Sequence, residues 1–181
     1  MVTFLVGAVM AYGLMSRFER TTTPLAVLTQ LLAVAVIGRW LFVAIPNVQP
    51  TTAIIMLTAL YFGWTSAAML ALFVPVLSGL LLGLGPFVLY QFLGWLVVVT
   101  TVVALRRILM KSRLLLGLTG LAAGFLFGWT TNVAYAEVIG SEFVNLLILS
   151  VPFDLAHGVG NVFFLLVLRD LFVRIFVRDE G

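Results

Sequence analysis

The apolar runs of this chain carry almost no charge. Between Pro24 and Leu168 they contain two formally charged side chains, Arg39 and Asp154; every other charge of that region sits in a short connecting stretch. A globule in water cannot hide runs of this length behind a wettable exterior. Of the 181 residues, 63% are hydrophobic and 9% are charged. A soluble domain is roughly half apolar and about a quarter charged. Soluble enzymes, nucleic-acid modules and disordered chains are therefore excluded, and an all-α integral membrane protein remains. A β-barrel would show alternating strands of roughly ten residues instead of continuous runs. There are no cysteines and a single histidine, which removes disulfides, thiolate metal sites and multi-histidine metal sites.

Pro, Gly and charge punctuation divide the chain into segments. Val2–Met15 is apolar but short. Pro24–Ile45 is a full span, with Pro24 suited to a first helical turn. Thr52–Phe62 is about half a span. Ser66–Leu84 (carrying Pro75), Phe87–Leu105, Leu114–Ala136 and Phe143–Leu168 (carrying Pro152) are spans. The domain reading is an N-terminal hydrophobic segment and loop over 1–23, a six-helix membrane domain over 24–175 and a tail over 176–181. The first fifteen residues stay open. They form an added helix, a signal without a basic leader, or sequence upstream of a start at Met15.

The cations give the orientation. If loop 17–23 is cytoplasmic, alternating crossings put Arg17, Arg20, Arg106, Arg107, Lys111, Arg113, Arg174 and Arg178 on the same side. The opposite loops, 46–51, 85–86 and 137–142, hold no Lys or Arg. This is the positive-inside pattern. It places the protein in the cell membrane, with loops 17–23 and 106–113 and the C-terminus cytoplasmic. It also requires the short Thr52–Phe62 segment to cross, supported by its neighbours.

Polar groups inside hydrocarbon are costly, so their positions point to function. Arg39 is expected about six residues from the outer end of its segment, roughly 9 Å down. It is either a structural residue paired with a carboxylate or loop carbonyls, or a substrate contact and latch. The loop Pro46-Asn47-Val48-Gln49-Pro50-Thr51-Thr52 is either a connector or a rigid polar grip on a ligand. Gln91 and Trp95 share a helix face beyond the Gly85-Pro86 turn. Tyr90 and Trp95, and later Asn132 and Tyr135, are interface aromatics and amides or pocket walls. Asp154, His157 and Asn161 fall on one face of the last segment, as an interhelical network, a proton relay or a cavity floor. The ladder Gly120, Gly124, Gly128 serves internal packing or docking of another subunit. No hydrolase motif, paired intramembrane carboxylates or P-loop is present, so the chain is not expected to be an enzyme or to hydrolyse ATP.

The order of these motifs resembles a known family. An Arg-bearing helix leads into Pro-Asn-Val-Gln-Pro, then Ala-Leu-Tyr-Phe-Gly, a Gly-x-Gly-Pro turn into Tyr-Gln-Phe, Phe-Gly-Trp-x-x-Asn, and Asp-x-x-His-x-x-x-Asn. Over about residues 24–175 this is similar to the substrate-binding S-components of energy-coupling factor (ECF) vitamin transporters, nearest to those for cobalamin. The resemblance implies a six-helix bundle that captures a vitamin at the outer face. It then docks on a transmembrane coupling subunit carrying two ATPase subunits, and ATP is used there. No cofactor or metal is implied in this chain, and cobalamin would be cargo. The implied substrate contacts are Arg39, Asn47, Gln49, Phe87, Tyr90, Gln91, Trp95, Asn132, Tyr135, His157 and Asn161. The implied docking face is Ala26, Thr29, Ala33 and Gly38, where Thr29-x-x-x-Ala33 replaces the family's Ala-x-x-x-Ala. Other classes stay open: an S-component for another vitamin or metabolite, an autonomous secondary transporter, or a ligand-free assembly subunit.

Overall fold

The computed structural model describes residues 25–140 and 142–177. The segment 1–23 with Arg17 and Arg20, Pro24, and the last four residues with Arg178 lie outside the described residues. Within them the chain is all helical. The helices are α1 (Leu25–Leu41), α2 (Thr51–Phe62), α3 (Trp64–Leu82), α4 (Phe87–Ala104), the single turn α5 (Arg106–Leu109), α6 (Arg113–Ile139) and α7 (Phe143–Phe172). A π-helical turn, Val173–Val177, continues the last of these. Among the described residues three helices are long and apolar enough to cross a membrane: Trp64–Leu82, Phe87–Ala104 and the Arg113–Val133 part of α6.

The short helix α2 organises the rest. It packs against α1, α3, α4 and α7, and all twelve of its residues are buried. At 1.5 Å per residue it is about 18 Å long, well under a bilayer core of about 30 Å. A helix this short stays viable because protein, not lipid, surrounds it and satisfies its ends. Its last carbonyls receive hydrogen bonds from Arg106, whose Nε donates to Leu60 O at 2.7 Å and whose Nη2 donates to Tyr61 O at 3.4 Å. A single residue, Gly63, turns the chain into α3 with φ 92°, a conformation open to glycine and strained for residues with a Cβ.

Helix α1 is shorter than the sequence suggests. The apolar run to Ile45 reads as one span, but the helix ends at Leu41 and residues 42–50 turn back over the bundle. Pro46 disfavours helical geometry at Ile45. The returning segment is fastened from both sides. Phe42 meets Phe164 edge-on, Val48 lies on Gly160, and Pro50 fills the space beside Gly38. Arg39 is therefore in the last turn of its helix, not about six residues below the end. A cation there complements the negative end of the helix dipole.

Helices α6 and α7 meet through glycines. A Cβ on Gly124 would strike the Gly158 backbone, one on Gly158 would come within 2.5 Å of Leu121 O, and one on Gly120 within 2.5 Å of Leu165 Cδ1. The Gly120–Gly124–Gly128 ladder thus serves packing within the chain. The two ends of the bundle differ in charge. At one end Arg113 pairs with Asp170 at 2.9 Å, Arg169 Nη2 donates to Met110 O, and Arg106 holds the end of α2. The opposite end is formed by segment 42–50, the 83–86 turn and the start of α7, with no Lys or Arg in those connections.

Candidate functional site

A cavity of about 80 Å³ opens at the cation-poor end. It is lined by Arg39, Asn47, Gln49, Thr51, Thr52, Gln91, Trp95, Phe127 and His157. Six elements contribute: the end of α1, the 42–50 segment, the first turn of α2, the N-terminal half of α4, and the middles of α6 and α7. Residues 108 positions apart in sequence, Gln49 and His157, face the same space.

Arg39 knits three elements together. Its Nε donates to Gln49 Oε1 at 3.2 Å, and its Nη1 donates to Ser78 Oγ at 2.9 Å and to Gln91 Oε1 at 3.1 Å. Its Cζ stands 5.4 Å from the ring centroid of Trp95, within cation–π range. Next to it, Trp40 Nε1 donates to Ser78 O at 3.2 Å. The partners of Arg39 are amide oxygens, a hydroxyl and an aromatic face. The structural reading with a carboxylate partner is not realised among the described residues.

A second chain of contacts forms the inner wall. Trp95 Nε1 donates to Thr52 Oγ1 at 2.9 Å, and Thr52 Oγ1 is hydrogen-bonded to His157 Nε2 at 2.8 Å. Phe127 packs against both rings, 5.1 Å from Trp95 and 5.0 Å edge-on to His157. Thr51 Oγ1 donates to Ala35 O, tying α2 to α1. Asn47 holds φ 61°, which Asn tolerates better than most residues, and its Nδ2 donates to Phe153 O at 3.4 Å.

Of the residues expected at the site, Arg39, Asn47, Gln49, Gln91, Trp95 and His157 come together around this cavity. Phe87, Tyr90, Asn132, Tyr135 and Asn161 do not line it. Tyr90 and Tyr135 meet each other edge-on, 6.5 Å between centroids. Phe87 packs over Gly85. Asn161 is wholly buried and donates from Nδ2 to Gly120 O, an interhelical bond. Asp154 accepts from Ser150 Oγ and lies against Gly128, so it neither pairs with His157 nor reaches the cavity. Thr51, Thr52 and Phe127 are the cavity residues outside the expected substrate contacts. The two threonines stand in the polar loop motif, whereas Phe127 carries no signal that separates it from its apolar neighbours.

On α1, Ala26, Thr29 and Ala33 are exposed, and Thr29 Oγ1 donates to Leu25 O. Gly38 is buried, and Pro50 occupies the space its side chain would fill. Gly38 therefore belongs to the internal packing and not to an outward face. Among the described residues no three of His, Cys, Asp or Glu come together as a metal-binding group. Comparison of the chain with protein-family models, with curated proteins and with solved structures gives no match.

Proposed function

We propose that this chain is the membrane-embedded substrate-binding subunit of an ATP-driven, ECF-type vitamin uptake transporter. It takes its solute at the end bearing the 42–50 segment and delivers it by docking on a coupling subunit that carries two ATPase subunits. The observation that carries this reading is the cavity itself. Polar and aromatic side chains from six elements converge at the end of the bundle away from the cation cluster. The exposed stripe Ala26, Thr29, Ala33 on α1, flanked by exposed Val34 and Ile37, is the proposed docking face. An autonomous proton-coupled transporter has less support, because Asp154 lies outside the cavity.

Cobalamin is the first substrate to test, on the order of the sequence motifs. A second reading is favoured by size: pockets for drug-sized ligands run to about 300–1,000 Å³, and the cavity measures about 80 Å³. A corrinoid needs the 42–50 segment and the 83–86 turn to part. A smaller vitamin or metabolite needs less opening. Calorimetric screening of vitamins against the full chain purified in detergent is expected to find one binder in the nanomolar range. Gln91→Ala or Trp95→Ala is expected to weaken it at least tenfold while the protein stays folded. Unchanged affinity in both variants moves the pocket elsewhere, and the absence of any tight binder rejects solute capture.

Orientation is tested separately. A cysteine placed at Val48 in this cysteine-free chain is expected to react with an impermeant maleimide from outside intact cells. One placed at Lys111 is expected to react only after lysis. Labelling of the 42–50 segment from the cytosol alone rejects outward capture.

A further inference from the structure

The cavity wall is built from hydrogen-bond donors around an uncompensated cation. Arginine offers five N–H donors and no acceptor. Three are directed to Gln49 Oε1, Ser78 Oγ and Gln91 Oε1. The two on Nη2 have no partner among the described residues. Because the guanidinium can only donate, it fixes both glutamine side chains with their oxygens toward itself. Each –NH2 group is thereby turned away from Arg39, and neither has a hydrogen-bond partner among the described residues. Of the cavity amides, Asn47 alone is left with an unengaged oxygen, since its –NH2 is held by Phe153 O. Among the described residues no carboxylate lines the cavity or lies within ion-pair distance of Arg39; the ion pair Arg113–Asp170 sits at the other end of the bundle. A positive charge in a partly dry site, supported only by neutral oxygens and a ring, is costly unless an anion joins it.

We infer that the captured solute presents an anionic oxygen group, a carboxylate or a phosphate, to Arg39 Nη2 and to the amide nitrogens of Gln49 and Gln91. Arg39 is then both a substrate contact and the positioning residue that sets the donor polarity of the two glutamines. Planar, forked recognition of oxyanions suits a guanidinium better than an ammonium. The inference rests on the solute-capture reading and narrows its ligand class.

The test uses vitamin pairs that share a skeleton and differ in the charged group, titrated into the full wild-type chain in detergent. Nicotinate against nicotinamide and biotin against its amide probe the carboxylate. Pyridoxal 5′-phosphate against pyridoxal and FMN against riboflavin probe the phosphate. For cobalamin, cobinamide is the counterpart without the phosphodiester. The tightest binder is expected to be an anionic member, at least tenfold tighter than its neutral counterpart, and the pair showing this separates carboxylate from phosphate. Arg39→Gln is expected to erase that difference, and Arg39→Lys to keep part of it. The wild-type comparison stands even where the variants fold poorly. Equal binding of charged and neutral partners overturns the inference while leaving solute capture intact, as does an equal loss for both partners in Arg39→Gln. Binding by no member overturns the capture reading and the inference with it.

Discussion

Gly124→Val is expected to cost about 3 kcal/mol of stability, the upper part of the range for overpacked interiors. The reason is the nature of the obstacle. A Cβ at 124 would meet the Gly158 amide nitrogen, Asp154 O at 2.5 Å and Gly158 Cα at 2.7 Å. These are backbone atoms, which cannot rotate aside, so α6 and α7 must separate along their length. Alanine resolves the sign. It improves helix propensity over glycine by about 1 kcal/mol, which opposes the clash. At Gly117 the added Cβ meets only Val162 Cγ1 at 3.8 Å, an ordinary contact, so Gly117→Ala is expected to be neutral or stabilising. At Gly124 the same change is expected to lower the melting temperature. Thermal unfolding of the three variants in one detergent measures this. Equal melting temperatures for Gly117→Ala and Gly124→Ala would show that the glycine contact is not close.

Thr52→Val is expected to cost about 2–3 kcal/mol, although it changes the shape of the side chain little. The hydroxyl accepts the indole N–H of Trp95 and bonds His157 Nε2. Valine leaves both ring nitrogens buried beside a methyl group. An unmet polar group costs about 1–3 kcal/mol, and interhelical bonds in membranes lie toward the lower end of that scale. Thr52→Ser keeps the oxygen and is expected to lose less than about 1 kcal/mol. Melting temperature and tryptophan emission report the two consequences, loss of stability and a changed setting for Trp95. If valine and serine behave alike, Thr52 does not join α2, α4 and α7.

Segment boundaries were readable because Pro, Gly and charges mark them. Phe87–Leu105 and Thr52–Phe62 differ from their helices by a single residue each. Two ends are off by four residues: α7 runs past Leu168 to Phe172, through Arg169 and Asp170, and α1 stops short of Ile45, where Phe42, Val43, Ala44 and Ile45 are as apolar as a helix interior, so hydropathy hid the turn. The site was legible where spacing within one element decided it, as for Gln91 and Trp95 or for Asn47 and Gln49. It was not legible where neighbours decided it. The stripe Asp154, His157, Asn161 shows why. At about 100° per residue, Asn161 lies about 20° from Asp154, and His157 about 60° from it. That offset suffices to aim Asp154 and Asn161 at α6 and His157 at α2. Which helix waits on each side is a property of the bundle, and no local spacing contains it.

The enclosure of Thr51–Phe62 bears on how the chain is made. A helix of twelve residues, three of them threonines, is too short to hold a place in a lipid bilayer unaided. If the chain spans a membrane as proposed, this piece enters it during synthesis as a rider on Trp64–Leu82, to which Gly63 couples it without slack. Its burial is complete only when later-made segments, up to the Phe143–Phe172 helix, close around it.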